Sequence, residues 1–119
     1  MTKGYNVKDL EMLQDKVGAW YYELIGESYT GYAFAVFPQN GKLSYEYKLV
    51  NGYQEGIQRQ WYINGQLLLE QHFSNNIPNG KCMEWYESGA LRFEGEYDLG
   101  KIVWSKTYNE KEELTKQNP

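Results

Sequence analysis

The sequence predicts a mainly β protein, in which tandem β-hairpins form an elongated, twisted antiparallel meander sheet accompanied by a short N-terminal helix. Three observations carry this expectation. Asn64-Gly65 separates two strand-like runs, Trp61-Tyr62 and Leu67-Leu68-Leu69-Glu70. Asn-Gly is the strongest short-range signal for a type I′ hairpin, because both central residues there need positive φ. The same pattern returns around Ser88-Gly89 and, more loosely, around Asn40-Gly41. Leu43, Leu67 and Leu91 stand 24 residues apart, as do Gly41, Gly65 and Gly89, and Glu46, Glu70 and Glu94. A fixed period of this size means stacked supersecondary units.

Taken in order, residues 6–17 read as the helix. Asn6 suits the N-cap and Asp9 the first turn. Val7, Leu10, Leu13 and Val17 recur at helical spacing, and Gly18 stands where a helix C′ residue belongs. Strands are expected over residues 19–108. Gly26-Glu27-Ser28 is a turn, and Asn51-Gly52 closes a first repeat near 29–52. A second repeat lies near 53–76 and a third near 77–100, entered by a polar link over 74–80. The repeats keep step if one residue is inserted in the first, beside Pro38. Residues 109–119 are charged, with only Leu114 as an anchor, and read as a flexible tail, frayed helix or disorder. All 119 residues are expected to form a single domain.

A net charge of −4 lacks the basic stripe that phosphate backbones require, so nucleic acid is not an expected partner. No segment has the length of a membrane span, and Met1 opens onto a polar stretch, so no signal peptide and a cytoplasmic location are expected. Cys82 is the only cysteine, which leaves no intrachain disulfide.

The sequence then offers a resemblance. Tyr29-Thr30-Gly31 and Asn40-Gly41-x-Leu43-x-x-Glu46 are followed by Trp61-Tyr62-x-Asn64-Gly65-x-Leu67-x-x-Glu70. Asn79-Gly80 precedes Trp85-Tyr86-x-x-Gly89-x-Leu91. Over residues 29–104 this resembles the variant MORN repeat, common in bacterial antitoxins and in immunity proteins of polymorphic toxins. The resemblance implies hairpins laid side by side. It also implies a protein that neutralises a cognate toxin, such as a nuclease, by direct binding. The alternative is a non-catalytic MORN-repeat scaffold or self-associating structural protein.

Pairing across a two-residue Asn64-Gly65 turn sets Tyr62 against Leu67, Trp61 against Leu68 and Arg59 against Glu70. Around Ser88-Gly89 it sets Tyr86 against Leu91, Trp85 against Arg92, Glu84 against Phe93 and Met83 against Glu94. One face then gathers Leu43, Tyr45, Tyr47, Leu49, Tyr62, Leu67, Leu69, Phe73, Tyr86, Leu91, Phe93 and Tyr97, part of which the helix is expected to cover. The other carries Trp61 and Trp85 among Arg59, Arg92, Glu46, Glu70, Glu94 and Glu96. Arg59–Glu70 and Lys81–Glu96 read as cross-strand charge pairs, and Arg92 as a cation–π contact on Trp85.

Aromatic anchors inside a charged rim have the composition of a binding hot spot, so these eight residues are the expected partner site, suited to a toxin with a basic surface. The plainer reading is a solvated face on which the Trp rings shield repeat junctions. A competing site is the loop edge of Tyr53-Gln54-Glu55 and residues 75–79. Catalytic chemistry is not expected. His72 is the only histidine, Cys82 has no flanking motif, and neither a metal-ligand cluster nor a phosphate-binding loop is present. Glu46, Glu70 and Glu94 fall on successive hairpins, about 10 Å apart, too far for a coupled acid–base pair. No cofactor is expected.

Overall fold

The structure, a computed structural model, describes residues 4–119. Its strands in chain order begin with β1 (Gly4–Asn6), β2 (Glu11–Gln14), β3 (Trp20–Leu24), β4 (Glu27–Ser28), β5 (Gly31–Val36) and β6 (Leu43–Val50). They continue with β7 (Tyr53–Trp61), β8 (Leu67–Ser74), β9 (Ile77–Trp85), β10 (Leu91–Asp98), β11 (Lys101–Tyr108) and β12 (Leu114–Asn118). From β5 to β12 each strand pairs antiparallel with its chain neighbour, an elongated meander; β1 adds a parallel edge beside β5. A separate three-stranded sheet has the order β2-β3-β4.

Two kinds of turn alternate at opposite ends of the strands. At one end Tyr62 accepts from Gly65 N (3.0 Å) and donates its own N–H to Gln66 O (2.8 Å); Tyr86 does the same with Gly89 and Ala90. Gly65 and Gly89 have φ of 91° and 95°, while Asn64 is not among the residues with positive φ. The Asn64-Gly65 turn is therefore not type I′. It is a three-residue loop built on a type I turn, with glycine at the left-handed position of a G1 bulge. Type I′ geometry belongs to the other end, where Asn51-Gly52, Asn75-Asn76 and Leu99-Gly100 have positive φ at both central positions, as does Ile25-Gly26 between β3 and β4 of the small sheet. Because Asn75-Asn76 turns the chain in two residues, Ile77 to Gly80 lie in β9 and the polar link expected over 74–80 shrinks to that turn.

The N-terminal helix expected over residues 6–17 is absent. Asn6 does cap, accepting from Lys8 N at 3.0 Å, but only the three-residue 3₁₀ helix Val7–Asp9 follows. Glu11–Gln14 instead pairs with Trp20–Glu23. Gly18, read as a helix C′ residue, has φ of 87° and closes the β2–β3 loop from Asp15. A single helix of this length is marginal in water, whereas the aromatic run at Trp20-Tyr21-Tyr22 offers β2 a ready strand partner. The tail corrects likewise: Asn109 to Glu113 repeat the type I loop with Glu112 at φ 63°, and β12 pairs with β11.

Directly opposed residues share a face of a sheet. One row runs Ala33, Tyr47, Gln58, Gln71, Cys82, Gly95 and Ser105. Ala33, Tyr47 and Leu49 form the buried cluster on this face, packed by Val7, Leu10, Tyr22, Tyr29 and Tyr45. The small sheet, not a helix, thus covers the first part of the aromatic face, with the Tyr22 and Tyr47 rings 5.9 Å apart. Backbone bonds fasten it to the Asn51-Gly52 turn: Tyr22 N donates to Gly52 O, and Gly52 N to Tyr29 O, at 2.9 and 2.8 Å. The Asp15 carboxylate accepts from Val17 N, Ala19 N and the Tyr53 hydroxyl, the last at 2.7 Å.

Two measurements test this docking. A Cβ on Gly52 would lie 2.7 Å from the Tyr22 carbonyl oxygen, whereas one on Gly65 meets nothing within 4 Å. Gly65→Ala should cost only the left-handed backbone strain, about 1–2 kcal/mol, and Gly52→Ala distinctly more by chemical denaturation. Equal losses would mean that the small sheet does not sit on the turn. The Tyr53 hydroxyl, followed by the Ala19 and Val17 amides, holds the Asp15 carboxyl below its ordinary value, against a smaller opposing effect of burial. A depressed carboxyl stabilises above its unfolded pKa, and that contribution is lost as pH falls through the folded value. Thermal stability should therefore fall on acidification below about pH 4. Asp15→Asn should be less stable at neutral pH and show a shallower acid limb; parallel pH profiles would remove Asp15 as the clasp.

Candidate functional site

On the face opposite the core, register alone assembles a second row: Phe34, Glu46, Arg59, Glu70, Met83, Glu94, Lys106 and Gln117. Trp61 lies two residues beyond Arg59 on β7, and Trp85 two beyond Met83 on β9, so both rings share this face with the charges. Both Trp are half-buried. A shallow depression of about 360 Å³ beside Trp61 is lined by Lys42, Leu43 and Gly65.

Arg59 is the electrostatic centre. Its Nε donates to Glu70 Oε2 at 2.9 Å, and its Nη1 lies 3.7 Å from Glu46 Oε1. The Glu46 side chain keeps only 12% of its surface exposed, so its contact with the guanidinium is screened less than a surface pair. Glu94 accepts from the Tyr108 hydroxyl at 2.5 Å, which raises the Tyr108 pKa above its ordinary value.

Seven of the eight expected site residues belong to this face, among them Trp61, Trp85, Arg59, Glu46, Glu70 and Glu94. Glu96 lies on it too, directly opposite Lys81 and Trp104. Lys81–Glu96 is not among the ion pairs of the described residues, which are Arg59–Glu46, Arg59–Glu70 and Arg92–Glu84. Arg92 departs. The bulge puts Leu91, not Arg92, opposite Trp85, just as Trp61 faces Leu67 and not Leu68. Arg92 reaches Glu84 at 3.7 Å and lies 6.0 Å from the Tyr86 ring, in place of the expected Trp85 contact. Glu84 is directly opposed to Leu69 and Phe93, in the aromatic-face row.

Tyr108 was not expected here. It occupies the place of Trp61 and Trp85 in a further repeat, 23 rather than 24 residues on, and the non-glycine Glu112 hid that repeat's turn. The competing loop edge is tied down. Gln54 N donates to Asn76 Oδ1, Asn76 Nδ2 to the Trp20 carbonyl, and Asn75 N to Glu55 Oε1.

His72 and Cys82 do not meet across the sheet. Cys82 is opposite Gln71, so His72, the next residue of β8, points to the other face, its Nδ1 3.1 Å from the Lys81 carbonyl oxygen. Burial, reinforced by Glu84, pushes the Cys82 thiol up to about 11 and leaves it a poor nucleophile. Among the described residues no group of three or more His, Cys, Asp or Glu could hold a metal ion, and no helix is long and apolar enough to cross a membrane.

No family model, curated protein or solved structure matches the chain. The site's chemistry is therefore that of its own geometry: a charged row with aromatic plates beside it.

The Arg59 arrangement is open to a double-mutant cycle. Arg59→Met should cost about 1–3 kcal/mol, because two carboxylates lose their cation, one of them largely buried. Coupling with Glu46→Gln should exceed about 0.5 kcal/mol in urea denaturation; additive effects would show that the 3.7 Å contact is inert.

Proposed function

We propose that this chain is a non-catalytic immunity or antitoxin protein of the variant MORN-repeat type, which neutralises one cognate toxin by direct binding through its charged face. The observation that carries the reading is the Glu46–Arg59–Glu70 row with Trp61 and Trp85 on the same side. Rigid indole plates supply contact area at low entropic cost, and carboxylates beside them complement a basic surface and speed encounter. The repeat residues from Asn40-Gly41 to Leu91 support the family assignment, and the net charge of −4 supports a basic partner, such as a nuclease with a cationic substrate cleft. Cytoplasmic action, before the toxin reaches its target, fits this role.

A second reading, a self-associating scaffold, is favoured by one feature. β12 lies at the edge of the sheet, and its residues are exposed throughout, so its outer hydrogen-bonding groups offer a template for another strand.

The neighbouring gene separates the two. Co-expression with an adjacent toxin reading frame should restore growth. Trp61→Ala and Trp85→Ala should each weaken toxin affinity by at least about 2 kcal/mol in folded protein, and Glu70→Lys should chiefly slow association and flatten its salt dependence. Concentration-dependent assembly, with no effect on growth in the presence of the toxin, would favour the scaffold. Wild-type affinity in all three variants would remove this face from the function.

A further inference from the structure

We propose that the position over Met83 is a receptor slot for an arginine side chain of the protein partner, its guanidinium held between Glu70 and Glu94. The inference rests on the charged face being the binding surface and names the chemistry that the face takes.

The chain itself supplies the precedent. Arg59 stands directly opposite both Glu46 and Glu70, and its guanidinium contacts both, at 3.7 and 2.9 Å. Met83 lies 24 residues on, at the same repeat position, directly opposite both Glu70 and Glu94. One repeat further along, the same two-carboxylate frame surrounds a thioether where the guanidinium stood. Adjacent strands are about 4.8 Å apart, so the backbone sets Glu70 and Glu94 on either side of Met83 as it sets Glu46 and Glu70 on either side of Arg59. The Glu70 carboxylate is turned toward Arg59 and that of Glu94 toward Tyr108. Both retain acceptor capacity. Glu70 engages Oε2 with Arg59, and Glu94 engages Oε2 with Tyr108, while an ionised carboxylate has about four acceptor sites.

Met83 is an apolar, polarizable floor on which the flat face of a guanidinium can rest. Trp85, two residues along on the same face, stands beside it as a plate for stacking. A planar fork that bonds two carboxylates and stacks on indole is the chemistry of arginine more than of lysine. Lys106 lies opposite Glu94 and Arg59 opposite Glu70, each on the far side from Met83, so cations bound the slot along the row and leave the approach from above the face.

The test uses protein carrying ¹³C methionine methyls, titrated with acetyl-Gly-Arg-Gly-amide and with its citrulline counterpart, which keeps the shape and loses the charge. The Met83 methyl and the Trp85 indole N–H should shift saturably with the arginine peptide and not with the citrulline one. The Met12 methyl, on the small sheet, should stay still. Glu94→Gln should weaken the response about threefold or more. Met83→Arg, which fills the slot from within, should be at least as thermostable as wild type and should abolish the Trp85 response. A silent Met83 methyl, an equal citrulline response, an unchanged affinity in Glu94→Gln, or a destabilised Met83→Arg would each overturn the proposal. No toxin enters the titration. A chain that fails to neutralise one yet shows the arginine-specific shift loses the immunity reading and keeps the slot.

Discussion

Side chains in a strand alternate faces with a period of two, so a single residue gained or lost inside a strand would send everything beyond it to the wrong side. That parity is the constraint on which this sheet depends. A repeat of 24 is even and returns each residue type to its own face. The departures from 24 show how strictly the rule is kept. The residue inserted beside Pro38 is absorbed in the loop, where Phe37 N reaches Lys42 O, against Tyr62 N reaching Gln66 O in the next repeat. The missing residue of the last repeat is taken from a bulge. Between paired positions β7 spans Gln54 to Gln58 and β9 spans Pro78 to Cys82, but β11 spans only Ile102 to Ser105. Insertion and deletion both fall where no side chain has a fixed face, so Glu46, Arg59, Glu70, Met83 and Glu94 stay in one row.

This explains which parts of the structure were legible in the sequence. Arg59 opposite Glu70 and Met83 opposite Glu94 were readable from period and turn position alone, and they hold because they lie beyond the bulge. The pairs next to the turn were misread by one residue. Asn-Gly signals a two-residue loop, whereas here glycine alone is left-handed and the loop takes a third residue. Arg92 was displaced from the expected site by that same bulge. The N-terminal helix failed for a different reason. Val7, Leu10, Leu13 and Val17 have helical spacing, but a periodicity argument does not weigh the tertiary partner: β3 with its aromatics, and an Asp15 side chain that closes the loop before Gly18. The last strand was hidden because Glu112 adopts the left-handed conformation that glycine normally advertises.

The division of labour between the faces follows from what the small sheet reaches. It docks where the Asn51-Gly52 turn presents backbone groups and Asn76 its side-chain amide, so its cover falls on Tyr47 and Leu49 near the start of the array. Farther along, Leu69, Phe73, Phe93 and Tyr97 are half-buried without joining that cluster. Burial there comes within the layer itself: Cys82 beside Gly95 is 3% exposed although the small sheet does not pack on it. Large side chains flank small ones along the strands, and each shields its neighbours' stems.

A sheet held this way needs its repeats fixed to one another, and individual charge pairs, worth about 0.2–1 kcal/mol, do not suffice. The fastening is done at the ends. Near the type I loops Tyr62 donates its hydroxyl to the Trp85 carbonyl and Tyr86 to that of Tyr108, both at 2.8 Å. Asn40 and Asn64 donate to the carbonyls of Ile63 and Glu87. At the type I′ end Thr30, Asn76 and Asn79 accept from the backbone of Asn51, Gln54 and Leu99. Each repeat is thereby pinned to the next at both ends through side chains that lie outside the charged row. The charged row of Glu46, Arg59, Glu70 and Glu94 lies in the middle of the strands, between these two lines of fastening. If this face meets a partner as proposed, fastening at both ends sets the strands in register beforehand, which lowers the ordering cost of binding and lets weak, well-placed charges count.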